Sequence, residues 1–77
     1  MEHDAVSDAN MWLRSAPLEV VRMVRGTVRL DPTPRVLRRV LYQAQVASTD
    51  EWTTRVAMRC QDTGYAQAFA RALLRAK

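Results

Sequence analysis

The sequence predicts a small all-α domain, a compact bundle or orthogonal array of four to five short helices. Three observations predict this class: apolar residues recur every three or four positions through most of the 77 residues, helix start and stop signals separate these segments, and a strand-like composition occurs in one segment only. A chain of this length builds one core, so residues 1–77 are expected to form a single helical domain with residues 1–4 frayed.

A first helix is predicted over residues 5–15. Ser7 and Asp8 are typical of a helix start, and Trp12 lies beside the apolar stripe of this segment. The stripe has helical spacing and consists of Val6, Ala9, Leu13 and Ala16. Such a stripe indicates a helix that buries one face.

A second helix is predicted over residues 17–25, because proline suits a first helical turn. Gly26 is expected to end it. The alternative is a β-hairpin with strands over residues 19–24 and 27–30, since this segment is rich in valine and glycine favours a tight turn. An isolated two-stranded ribbon is marginal in water, so the helix is favoured.

The third helix, over residues 34–47, has the clearest signals in the chain. Thr33 is placed to cap it, and Pro34 fits its first position. The arginines of the segment fall on the face opposite its apolar residues, which are Val36, Leu37, Val40, Leu41 and Ala44. The pattern predicts an amphipathic helix with a basic outer side.

Two further helices are predicted, over residues 49–61 and 65–76. Ser48 and Glu51 match a capping box at the start of the first of them. Gly64 is expected to end that helix in the left-handed conformation, which glycine adopts without strain. The alternative is one long helix through both ranges with the glycine inside it, at a cost of about 1 kcal/mol relative to alanine.

Charge and composition limit the classes of function. The formal net charge is +4, and it is uneven: residues 1–16 carry −2, residues 17–47 carry +4 and residues 48–77 carry +2. No apolar run approaches the roughly 20 residues that cross a bilayer, and the acidic N-terminus is unlike a signal peptide. The single cysteine excludes an internal disulfide, so a reducing, cytoplasmic location is expected.

Side chains able to carry catalysis are scarce. Hydrolysis and group transfer need a nucleophile, a base and an orienting group together, yet the chain has one histidine, His3, and one cysteine, Cys60. His3 lies in the segment expected to fray, and Cys60 repeats with the apolar face of its helix, where a thiol packs as a small hydrophobe. We therefore expect no enzyme activity, cofactor, metal site or small-molecule substrate. An exposed Cys60 with a lowered pKa would contradict this expectation.

A surplus of large apolar side chains predicts binding to another protein. Short helices enclose little core, so some aromatic and methionine side chains are expected at the surface, where they favour interfaces. The leading hypothesis is a non-enzymatic interaction or regulatory module whose arginine-bordered apolar surface docks a partner helix or a second copy of the chain. Its candidate residues are Trp12, Tyr42, Met58, Arg35, Arg38 and Arg39.

The alternative hypothesis is a regulator that binds DNA or RNA. Its central arginines would neutralise phosphates, which makes binding strongly dependent on salt. A helix-turn-helix centred on Gly64 fits poorly, because Arg59 and Thr63 occupy positions that are usually apolar in that motif. The candidate residues for nucleic acid are Arg22, Arg25, Arg29, Arg35, Arg38, Arg39, Gln67, Arg71 and Arg75. Charged helix faces that merely contact solvent are the plain alternative to both hypotheses.

Overall fold

The structure, a computed structural model, describes residues 4–76, and these form five α-helices. In chain order the helices are α1 (Ala5–Ser15), α2 (Leu18–Leu30), α3 (Pro34–Ala47), α4 (Glu51–Arg59) and α5 (Thr63–Arg75). The predicted all-α bundle is confirmed, and the described residues contain no strand. Among them, no helix combines the length and the apolar character needed to cross a membrane.

α1 begins after Asp4 rather than at the predicted start signals Ser7 and Asp8. The Asp4 carboxylate accepts two backbone amides of the first turn, at 3.0 and 3.2 Å, so the free donors there are already capped. The predicted range of residues 5–15 is confirmed. The expected fraying of the N-terminus falls mostly on residues 1–3, which lie outside the described residues.

α2 continues four residues past Gly26, so the predicted range of residues 17–25 is too short. Gly26 has no positive φ, and apart from its chain neighbours and the backbone of its own helix no atom lies within 4 Å of the position that a Cβ would occupy. Continuing the helix buries Val28 completely, and that burial, about 1.5 to 3 kcal/mol, exceeds the roughly 1 kcal/mol cost of an interior glycine. The β-hairpin alternative is wrong, because α2 spans both of its strands. The helix ends where Asp31 meets Pro32.

α3 keeps its predicted range of residues 34–47. The Thr33 hydroxyl accepts the backbone amide of Val36 at 3.3 Å, and Pro34 occupies the first turn, where its missing amide proton costs nothing. Every apolar residue predicted for the inner face is buried. The sequence of α3 alone therefore predicts which side of the helix faces outward.

α4 is capped by Asp50 rather than by Ser48, so the predicted capping box with Glu51 is wrong. The Asp50 carboxylate accepts the amide and the hydroxyl of Thr53 at 3.0 and 2.6 Å, and the Ser48 hydroxyl also donates to it, at 2.9 Å. Asp50 prevails because an ionised acceptor makes stronger hydrogen bonds than a neutral hydroxyl. α4 therefore starts two residues later than predicted and ends two residues earlier.

α5 begins two residues earlier than predicted, at Thr63, with Asp62 as its cap. The Asp62 carboxylate accepts the Tyr65 amide at 2.9 Å. Gly64 lies inside the first turn of α5 and has no positive φ, so the left-handed helix end predicted for it is wrong. The single long helix is wrong as well, because residues 60–62 turn the chain between α4 and α5.

α5 is the central helix of the bundle. It packs against α1, α2 and α3, while α2 packs on α3 and α4 packs on both α1 and α3. An aromatic cluster fills the centre: Trp12 meets Phe69 edge to face with 6.1 Å between ring centroids, and Tyr65 stacks on Phe69 at 5.9 Å. The molecule thus consists of an α2–α3 pair and an α1–α4 pair arranged around α5.

Candidate functional site

Trp12, predicted to be a partner-binding residue, is completely buried, so the expectation that it is exposed is wrong. Its indole Nε1 donates a hydrogen bond to the Thr53 hydroxyl at 3.0 Å, and its ring packs on Phe69. Contact between α1 and α4 encloses the side chain, and the amphipathic pattern of α1 alone did not reveal that contact. A surface for partners must be sought elsewhere.

Arg38 is engaged within the molecule. Its Nε donates to the carbonyl of Cys60 at 2.8 Å, and its Nη2 donates to the Thr63 hydroxyl at 2.8 Å and to the carbonyl of Gln61 at 3.4 Å. The guanidinium therefore satisfies carbonyls that are left free where α4 ends. The expectation of a free Arg38 is wrong, and we leave this residue out of both candidate surfaces.

Tyr42 and Met58 are exposed as predicted, by 68% and 69%, but the structure does not bring them to one site. Tyr42 lies on the outer side of α3. Met58 lines an open groove between α1, α4 and α5 that includes no residue of α3. The two side chains consequently belong to different surfaces.

The outer side of α3 carries two arginines followed by two large apolar residues. We call it the α3 outer face, and it consists of Arg35, Arg39, Tyr42 and Val46. These residues are spaced at i, i+4, i+7 and i+11, which places them along one line of a helix over about 16 Å. Val46 is 74% exposed, and sequence reasoning missed it because it looked for aromatic and methionine side chains.

The arginines predicted for nucleic acid occupy α2, α3 and α5. Arg22 and Arg29 are exposed on α2, and Gln67, Arg71 and Arg75 are exposed on α5. Arg25 differs from them, because its Nη2 donates to the carbonyl of Ala76 and its Nε is buried without a partner among the described residues. Arg25 therefore ties the middle of α2 to the end of α5.

Much of the positive charge is not neutralised locally. Within residues 4–76, six exposed arginines have neither a hydrogen bond nor an ion pair: Arg22, Arg29, Arg35, Arg39, Arg71 and Arg75. α3 and α5 contain no acidic residue, and the acids that flank α2 are Glu19 in its first turn and Asp31 at its end. The α2–α3 pair and α5 thus present a basic surface, whereas α1 and α4 carry mixed charge.

The groove lined by Met58 has a volume of about 990 Å³. Its charged residues already have partners: Arg55 pairs with Glu51 at 3.7 Å and lies 4.6 Å from the centre of the Trp52 ring, and Arg59 pairs with Asp8 at 2.7 Å. The acidic residues of the lining cap α1 and α5. Each charged side chain of the groove lining therefore already makes a contact within residues 4–76.

A buried carboxylate beside the groove was missed by sequence reasoning. The Asp8 Oδ2 accepts hydrogen bonds from the Tyr65 hydroxyl at 2.6 Å and from Arg59 Nη1 at 2.7 Å. The signal was present in the sequence, because Asp8 falls on the same helical stripe as the buried residues Ala9 and Trp12. An acid on such a stripe predicts a buried polar network that joins helices, here α1 with α4 and α5.

The described residues do not assemble a catalytic constellation around the thiol. Cys60 is completely buried, and burial raises its pKa to about 12 although nearby Arg38 opposes the shift. Burial and the hydrogen bond donated to Asp8 likewise raise the pKa of Tyr65. Cys60 does not meet the condition of exposure and a lowered pKa. His3 lies outside the described residues, within which no group of metal-ligating side chains occurs.

Comparisons with known proteins identify no similar protein. No protein-family model matches the chain, and no curated protein or solved structure matches it either.

Proposed function

We propose that this protein is a non-enzymatic interaction module that docks an acidic amphipathic helix of a partner protein on its α3 outer face. The observation that carries the proposal is the exposure of Tyr42 and Val46 in one line with Arg35 and Arg39, which have no partner within residues 4–76. The face combines apolar area with unused positive charge.

The apolar half of the α3 outer face gains free energy when it is covered. Tyr42 and Val46 are separated by one helical turn, so a partner side chain can contact both at once. Removing apolar surface from water contributes about 25 cal/mol per Å², and tyrosine and arginine are enriched at the cores of protein interfaces. A partner that buries these two residues would also exclude water from the neighbouring arginines, which strengthens ion pairs formed there.

The charge of the face favours an acidic partner over a second copy. In a two-fold symmetric dimer with parallel α3 helices, Arg35 and Arg39 of one copy would approach those of the other. With antiparallel helices the arginines would lie against Tyr42 and Val46 of the other copy, which offer them no carboxylate. Like charges in contact are unfavourable, and the net charge of +4 adds to the repulsion. Carboxylates, by contrast, form bidentate hydrogen bonds with guanidinium groups.

The order of residues along α3 gives the partner a direction. Arginines occupy the first half of the α3 outer face, and the apolar pair occupies the second half about 10 Å further along the axis. A helix that lies along α3 matches this order when its carboxylates cluster near one end and its leucine-like residues near the other. The interface is then directional as well as charged.

Photocrosslinking in the native host tests the proposal. A benzophenone amino acid is placed at Tyr42, and the same group at Asn10, an exposed residue of α1, serves as the control. We expect adducts at position 42 with an acidic helical segment of one protein, identified by mass spectrometry. The adducts should decrease at least fivefold when Arg35 and Arg39 are both changed to Glu.

Three results would count against the proposal. Adducts between two copies of this chain would indicate a homodimer instead. Identical adducts at positions 42 and 10 would indicate a surface without specificity. Unchanged crosslinking in the Arg35→Glu, Arg39→Glu variant would remove the role of charge, on which the choice of an acidic partner depends.

A further inference from the structure

α2 and α5 pack on each other, and each of these helices carries a row of arginines on its outer side. α2 presents Arg22, Arg25 and Arg29 at spacings of three and four residues, so they share one edge of its outer side. α5 presents Arg71 and Arg75 one turn apart on its own outer side. We call these five residues the α2–α5 arginine edge, and it shares no residue with the α3 outer face.

Arg25 fixes the two rows relative to each other. Its Nη2 donates to the carbonyl of Ala76, the residue that follows Arg75, and its Nε is buried. Because Arg25 is held in this way, the row on α2 lies beside the end of the row on α5 instead of moving independently. Four guanidinium groups of the edge then remain free to contact a ligand: Arg22, Arg29, Arg71 and Arg75.

The edge is poor in acids. α5 contains none, and the single acid within α2 is Glu19, in its first turn. Asp31 follows α2 at the opposite end. Neither acid forms an ion pair with these arginines, so the repulsion between the arginines is compensated only in part, and an anionic ligand would relieve it.

We infer that the α2–α5 arginine edge binds the phosphate backbone of a nucleic acid. The arginines lie on convex helix surfaces, with about 10 Å along the axis between Arg22 and Arg29, so they do not converge on one small anion. A polymer with repeated charge fits this spread, and duplex DNA carries one negative charge per roughly 1.7 Å of its axis. Contacts of this kind do not read sequence, since they reach phosphates rather than base edges.

An anionic lipid surface is the competing occupant, and the structure favours it less. Helices that bind membranes bury an apolar face among the lipids, whereas the apolar face of α2, with Val20, Val24 and Val28, is buried in the protein core. α2 also exposes three apolar side chains, Leu18, Met23 and Leu30, but they are five and seven residues apart, with Arg22 and Arg29 between them, and so form no continuous apolar face. The inference goes beyond the docking of a partner protein and does not depend on it.

Binding of random-sequence duplex DNA, measured by fluorescence anisotropy, tests the inference. Four phosphate contacts predict that affinity falls on the order of 100-fold between about 50 mM and 200 mM salt. Arg22→Gln with Arg29→Gln should weaken binding at least tenfold at the lower salt and reduce the slope of log affinity against log salt by about 2. Both side chains are exposed and have no hydrogen bond or ion pair among the described residues, so this variant should fold normally, which circular dichroism checks.

The matched control removes the same charge from other helices. Arg14→Gln with Arg55→Gln acts on α1 and α4, and it should change DNA affinity less than threefold. Equal loss of affinity in both double variants would overturn the site, because net charge alone would then explain binding. A wild-type protein that does not bind DNA at about 50 mM salt would overturn it too.

Two further experiments separate nucleic-acid binding at this edge from lipid binding and from the docking of a partner protein on α3. The first measures binding to vesicles of phosphatidylcholine and phosphatidylserine. If the vesicles bind as tightly as DNA and with the same dependence on Arg22 and Arg29, nucleic acid is the wrong ligand. In the second, Val46→Ser should leave DNA affinity unchanged, whereas it should reduce crosslinking from the benzophenone at position 42 to an acidic helix at the α3 outer face. The two proposals can therefore fail separately.

Discussion

The indole Nε1 of Trp12 donates a hydrogen bond to the hydroxyl of Thr53 across 3.0 Å, and both side chains are completely buried. The same hydroxyl donates its own proton to the carboxylate of Asp50 at 2.6 Å. One threonine thus connects the largest core residue of α1 to the residue that caps α4. The position of α4 against α1 is set by this chain of hydrogen bonds as well as by apolar packing.

Thr53→Val is expected to destabilise the protein by about 1 to 3 kcal/mol. Valine has nearly the same shape but accepts no hydrogen bond, so the Trp12 donor would stay buried without a partner. Urea denaturation followed by tryptophan fluorescence measures the change. Thr53→Ser retains the hydroxyl and should lose clearly less stability; equal losses in both variants would show that the methyl group, not the hydrogen bond, matters.

Arg38 and Arg39 are neighbours in sequence, but substituting them is expected to change the free energy of unfolding by very different amounts. Arg38→Met should cost about 1 to 3 kcal/mol, because it removes three hydrogen bonds to the segment between α4 and α5. Arg39→Met should stay within about 0.5 kcal/mol, because Arg39 is exposed and has no partner among the described residues. Thermal unfolding of the two variants measures the difference. Equal shifts in Tm would contradict a stabilising role for the hydrogen bonds of Arg38.

The sequence predicts local features of the fold well. The ranges of α1 and α3 agree with the structure because their end signals lie within one segment. The stripe predicted for α1 is wrong in part, because Val6 is 51% exposed and the buried face consists of Ala5, Asp8, Ala9 and Trp12. Gly26 predicts a helix end because its energetic cost is local, whereas the burial of Val28 that outweighs this cost depends on tertiary packing. At α4 two neighbouring residues suit an N-cap, and periodicity does not choose between Ser48 and Asp50.

The candidate sites were predictable to the extent that they lie on one helix. Arg35, Arg39 and Tyr42 share the outer side of α3 because of their spacing, so their exposure follows from the sequence. Arg38 and Trp12 were placed wrongly because their partners lie 22 to 25 and 41 residues away in the chain. Contacts at that separation leave no periodic signal in a single sequence.

Gly26→Ala is expected to stabilise the protein by about 0.5 to 1 kcal/mol. Gly26 has an ordinary helical backbone with open space around the added Cβ, so alanine lowers the entropy of the unfolded chain without strain. Gly64→Ala is the comparison, because its Cβ would lie 3.4 Å from the Asp62 carboxylate that caps α5, and its gain should be smaller. A destabilised Gly26→Ala variant, measured by urea denaturation, would contradict the helical path of α2.

Acid should weaken the cap of α4. Desolvation by itself raises the pKa of Asp50, but hydrogen bonds from Thr53 and Ser48 outweigh it and hold the pKa below the usual 3.8. The ionised carboxylate therefore stabilises the folded protein above about pH 4, and this contribution is lost as pH falls further. Asp50→Ala should cost about 0.5 to 2 kcal/mol at pH 7 and a smaller amount at pH 3, measured by urea denaturation. A cost that does not change with pH would contradict the role of the charge.

Alkali should weaken the fold through Cys60. Its thiol ionises near pH 9.0 when exposed, whereas burial raises its pKa in the folded protein to about 12. Above pH 9 the unfolded chain releases a proton that the folded chain retains, so stability falls as pH rises from about 9 toward 12. Between pH 8 and 10 this loss is about 1 kcal/mol for the wild type.

Cys60→Ala isolates that contribution. The variant is less stable at pH 8, because a buried side chain has been shortened, but its stability should fall about 1 kcal/mol less than that of the wild type between pH 8 and 10. Tyr65, whose pKa is also raised by burial, remains in both proteins and accounts for further loss at higher pH. Parallel urea titrations at the two pH values make the measurement. Identical pH dependence in both proteins would mean that the thiol reaches solvent in the folded state, and the expectation of no enzyme activity would then lose its main physical support.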